Sequence, residues 1–130
     1  MGPLAASWDG PPLSTRSADA VHLYRDAIAA LVSGSADAAP LLQAAIAVDP
    51  CFVLAHIGLA VSRVAAGEPY LPSAIPPGAT GRGERQHAEV VSTMLGGDPR
   101  HGADLRREHL VEFPGDLLIV WLPALRRDDE

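Results

Sequence analysis

Five histidines, one cysteine and 16 acidic residues are the groups that could carry chemistry in this 130-residue chain. Glu84 and His87 have the Glu-x-x-His spacing, which sets a carboxylate and an imidazole one turn apart on a helix, as in carboxylate-bridged metal sites. His109 and Glu112 repeat the spacing in reverse order, with His101 nearby. Together Glu84, His87, His109 and Glu112 would offer a divalent ion a nitrogen and oxygen ligand set. Such sites draw on two Glu-x-x-His motifs plus further carboxylates, and one such motif is present here. The favoured reading is therefore structural: Glu84 complements the helix dipole from the first turn, and His87 packs between helices. The sequence accordingly assigns no catalytic, cofactor or metal residue.

The other reactive groups read the same way. Cys51 follows Pro50 at the head of an apolar stretch, where a buried, inert thiol is expected; a nucleophile would need a positioned base. His56 lies five residues on and off its helical face. It sits between Phe52 and Leu59 and reads as a core histidine. Arg82, Arg85, Arg100, Arg106 and Arg107 suit either an anion-recognising groove or a solvated face balancing Asp98, Asp104, Glu108 and Glu112; the solvated face is favoured. Gly78 to Gly83 is rich in glycine but lacks the Lys-Ser/Thr of a phosphate loop.

The elements that must position these groups are helical. Apolar residues make up 48% of the chain, enough for a core, and alanine, the best helix former, is abundant. Ser17 is a helix cap, and Ala20, Leu23, Tyr24, Ala27, Ile28 and Leu31 then recur at three- and four-residue steps up to a stop at Gly34. A second helix is expected from about Ala36 to Val48, with Pro40 in its first turn, ended by Asp49-Pro50. A third covers about Cys51 to Ala66 and is apolar on two faces, as a helix packed on two sides must be. A fourth runs from about Gly83 to Leu95 with Ala88, Val91 and Leu95 inward. Asp98-Pro99 opens a fifth, which continues to about Phe113. Leu117 to Leu122 reads locally as a strand, and Pro123 would break a helix there.

Residues 1–16 are an extended proline-rich leader whose Trp8 would dock on the first helix pair. Residues 17–125 form one domain with a Gly/Pro-rich loop insertion at 67–81, and 126–130 are a charged tail. The net charge of −6 argues against nucleic acid. One cysteine fits a reducing compartment. The absence of a signal peptide or long apolar run points to a cytoplasmic protein away from membranes. The lack of Lys and Asn reads as the bias of a GC-rich bacterial genome.

Ala38, Ala45 and Pro50 fit the two small positions and the closing proline of the second helix of a tetratricopeptide repeat, with Leu42 at a usual large apolar place. His22, Asp26 and Ala29 stand where the first helix usually has Trp, Gly and Tyr, so the repeat is degenerate. A second copy keeps Gly102 and Pro114 but departs at Arg106 and His109. Three further stretches, Trp8 to Thr15, Asp49 to His56 and Arg82 to His87, together with Leu105, Pro114 and Asp116, resemble the opening part of the tetratricopeptide repeat protein 38 family. The resemblance runs from Trp8 to about Val120. It implies an α-solenoid with no established enzymatic activity.

The expected fold is thus all-α, with antiparallel helical hairpins stacked as a short tetratricopeptide-like α-solenoid of five or six helices. The expected function is a non-enzymatic protein–protein interaction module without cofactors. Its partner would be a protein or peptide, or a second copy joined through an exposed apolar 117–122 segment. Two alternatives are an accessory protein or enzyme of small-molecule metabolism, with a pocket under the 67–81 loop lined by His56, Tyr70 and His87, and a truncated piece of a longer repeat protein.

Overall fold

A computed structural model describes residues 15–71, 78 and 81–127, with the side chains of 126 and 127 left aside. All regular structure among them is helical: α1 (Ala18–Val32), α2 (Ala38–Val48), α3 (Val53–Ala65), α4 (Gly81–Leu95), α5 (Pro99–Glu112) and the short α6 (Leu117–Trp121) and α7 (Ala124–Arg127). Trp8, most of the 67–81 loop and the end of the charged tail lie outside the described residues.

The helix limits follow local chemistry. Ser17 Oγ accepts from the Ala20 amide at the start of α1, and Asp98 accepts from the His101 amide at the start of α5, where Pro99 needs no donor. Gly34 and Gly97 take positive φ, +82° and +116°, just after α1 and α4, where a side chain would be strained. Pro40 falls in the first turn of α2, where its missing N–H costs nothing. Asp49 ties the α2–α3 turn together: Oδ1 accepts from the Cys51 amide and Oδ2 from the Thr15 hydroxyl.

Short connections fold α1 onto α2 and α4 onto α5, and α3 packs against α2. The core of the first group joins Tyr24, Leu42, Phe52, Leu54 and Ile57, with the Tyr24 and Phe52 rings 5.4 Å apart. The small positions Ala38, Ala45 and Gly102 are buried. Both faces of α3 are buried. The inward stripe of α4 is Glu84, His87, Val90, Val91 and Met94, so only Val91 of the three expected residues is fully inside. α6 touches α1, α4 and α5 and so closes the two groups into one core.

Two expectations are corrected. Leu117 to Trp121 is helix, not strand: Leu118, Ile119 and Leu122 are buried at helical spacing. The Arg106 guanidinium donates from Nε to the Ile119 carbonyl and from Nη2 to that of Val120, both at 2.9 Å, satisfying acceptors at the helix end. The expected exposed patch is therefore largely consumed by the core, leaving Leu117 and Val120 about half exposed. Cys51 is exposed rather than buried, because the helix begins two residues later and Phe52 turns inward instead.

Candidate functional site

Three buried titratable side chains converge at one place. His87 projects from the middle of α4, His109 from the last turn of α5, and Asp116 stands just before α6. The turn through Pro114 and Gly115, with the Asp116 amide donating to the Phe113 carbonyl, swings Asp116 back over α5. His87 Nδ1 and His109 Nε2 each lie 2.8 Å from Asp116 Oδ2. The side chains of all three are at most 1% exposed. The two imidazoles meet edge to face, with centroids 6.2 Å apart.

Proton positions follow from the partners. Oδ2 accepts from both imidazoles. Nδ1 of His109 also faces an acceptor, Gln86 Oε1, at 2.9 Å. His87 Nε2 and Asp116 Oδ1 are buried with no hydrogen-bond partner among the described residues. Burial alone raises the Asp116 carboxyl, but the positive charge of His87 and the hydrogen bonds from both histidines outweigh it and hold the group well below the usual carboxylate range.

Two more polar side chains belong here. Glu84 is fully buried one turn before His87. Tyr24 of α1 is buried too; its phenol is pushed well above its ordinary value of 10.0, first by burial and then by the negative charges of Asp116 and Glu84. Both carboxylates therefore face the same interior.

The Tyr24 shift has a readable consequence. The unfolded chain releases this proton near pH 10, whereas the folded protein keeps it. Stability from this group is fully present below pH 10 and is lost as the pH rises beyond it. The chain has no lysine to obscure the effect. Urea midpoints between pH 8 and 11 should fall steeply for the wild type and much less for Tyr24→Phe.

Spacing brought out Glu84, His87 and His109 but chose Glu112 as the fourth group. Glu112 instead points outward and pairs with Arg82. Asp116, the group that joins the histidines, lies beyond a Pro-Gly turn that helical spacing does not cross. The pocket expected under the 67–81 loop is not assembled from its three residues. His56 Nε2 donates to the Pro50 carbonyl, the Tyr70 hydroxyl donates to Ser92 Oγ, and His87 lies within the buried cluster. Arg82 and Arg107 are held by Glu112 and Asp104, and Arg106 caps α6, so three of the five arginines have structural partners.

A second feature is open to solvent. A groove of about 440 Å³ runs between the α1–α2 turn, the end of α3 and the α6–α7 region, bordered by Leu31, Ala38, Ala39, Ala65, Trp121 and Leu125. Among the described residues, no charged side chain lines it. No helix among the described residues is long and apolar enough to cross a membrane. The chain matches no family model, no curated protein and no solved structure.

Proposed function

We propose that the protein is a non-enzymatic helical scaffold that binds an apolar segment of a partner protein in the groove beside Trp121. The observation that carries this reading is the composition of that groove, mostly alanine and leucine with one tryptophan, one glycine and two serines, and no titratable side chain among the described residues. Such a surface gains by burying apolar area and has nothing with which to activate a substrate. Tryptophan is enriched among the residues that dominate binding energy at interfaces. Leu117 and Val120, on the helix that carries Trp121, are about half exposed. The buried His87, His109 and Asp116 are not among the residues that line this groove. The resemblance to the tetratricopeptide repeat protein 38 family, a family of stacked hairpins, points the same way.

Peptides selected from a random helical library on the wild-type protein provide the test. Trp8→Phe leaves Trp121 as the sole indole reporter. Selected peptides should shift Trp121 emission and lose at least about tenfold in affinity, about 1.4 kcal/mol, on Ala65→Glu, a change at an exposed groove position. Binding that ignores Ala65→Glu, or a stable dimer that hides Trp121 from peptide, would remove the proposal.

A further inference from the structure

We propose that His87, His109 and Asp116 form a buried binding site for one divalent transition-metal ion, Zn²⁺ being the best match. The proposal is independent of the groove. It rests on how these groups meet. Two imidazole nitrogens from different helices converge on one carboxylate oxygen, 2.8 Å from each. Tetrahedral Zn²⁺ with bonds of ~2.0–2.1 Å sets its ligand atoms about 3.3 Å apart. Each nitrogen needs to move only about half an ångström from the carboxylate oxygen to reach that spacing. These three side chains bring their ligand atoms within 4.8 Å of one another, and a water molecule can take the fourth position.

Asp116 Oδ1 and His87 Nε2 are buried without a hydrogen-bond partner among the described residues, although buried polar atoms nearly always have one. His109 meets Gln86 Oε1 and Asp116 Oδ2 through its two ring nitrogens. On metal binding, His109 Nε2 and His87 Nδ1 each release to solvent the proton they direct at Asp116 Oδ2 and take the ion by the freed lone pair, leaving each imidazole neutral with its proton on the other nitrogen. His109 Nδ1–H keeps its bond to Gln86 Oε1, 2.9 Å, the outer-sphere contact that fixes the tautomer of a metal-bound histidine. The exposed Pro114–Gly115 turn beside Asp116 is the way in.

Protein purified from zinc-supplemented cells and analysed by mass spectrometry for metals should carry about one Zn²⁺ per chain. After chelator treatment, added Zn²⁺ should raise the Tm, and Co²⁺ should give the intense visible bands of a four-coordinate N/O site. His109→Gln and Asp116→Asn should abolish both responses, and Gln86→Ala should weaken Zn²⁺ binding about 10–100-fold. His101→Gln, at an exposed histidine, should change neither. The wild-type titrations do not depend on any variant folding. A wild-type Tm indifferent to Zn²⁺, or Co²⁺ bound without four-coordinate bands, overturns the proposal, as does a response that survives in His109→Gln.

Discussion

Replacing Asp116 by alanine should lower the stability of the metal-free protein by about 3–5 kcal/mol, the cost of removing one partner from a buried charge pair. The carboxylate is 1% exposed and receives two imidazole N–H groups. Its loss leaves both donors without an acceptor in the core. Asp116→Asn should cost less, because the amide oxygen still accepts where Oδ2 does, although the countercharge is gone. Glu112→Ala gives the scale: it removes an ion pair whose arginine is 68% exposed, and such pairs contribute at most about 1 kcal/mol. Urea unfolding in the presence of chelator measures all three. Equal costs for Asp116→Ala and Glu112→Ala would mean that the buried cluster contributes nothing to the fold.

The sequence was most legible where the deciding interactions are local. Ser17, Gly34, Asp49-Pro50 and Asp98-Pro99 act on backbone groups within a few residues, and the first five helices begin and end within two residues of their expected limits. The apolar stripe of α1 was legible for the same reason. Leu117 to Leu122 was not, since a six-residue apolar run carries no clear period and its helix end is capped by Arg106, 13 residues away from Ile119. At the site, the spacing of Glu84 and His87 was readable because both share one helix. Asp116 lies seven residues from His109 across a turn, and the geometry of that turn, not any helical period, decides that it faces inward while Glu112 faces out. Cys51 illustrates the same limit: the apolar run after Pro50 was visible, but which residue of the Pro50–Phe52 turn enters the core was set by tertiary packing.

The second large effect is expected at Gly102→Ala. A Cβ built there would lie 2.3 Å from Met94 Cγ, 2.9 Å from the Met94 backbone nitrogen and 3.0 Å from its Cα. The side-chain tip of Met94 can turn away, but the α4 backbone cannot, so the two helices must separate. Overpacking of this kind costs about 1–3 kcal/mol and occasionally more. Better helix propensity returns about 1 kcal/mol; the net loss should be about 2 kcal/mol. Gly58→Ala is the matched control. Its Cβ would lie 2.9 Å from Leu42 Cδ2 and 3.5 Å from Ile28 Cδ1, both ends of side chains that can shift, and the propensity gain should leave stability within about 1 kcal/mol of wild type. Adding Met94→Ala should rescue Gly102→Ala only in part, because the backbone contacts remain. Full rescue, or a Gly102→Ala protein as stable as wild type, would show that the helices are not held by backbone proximity. The same proximity sets the reach of the buried cluster, since His87 and His109 stand on these two helices. Gly102→Ala should therefore also weaken the Zn²⁺-dependent rise in Tm, which a loss of packing confined to the Gly102–Met94 contact would leave unchanged.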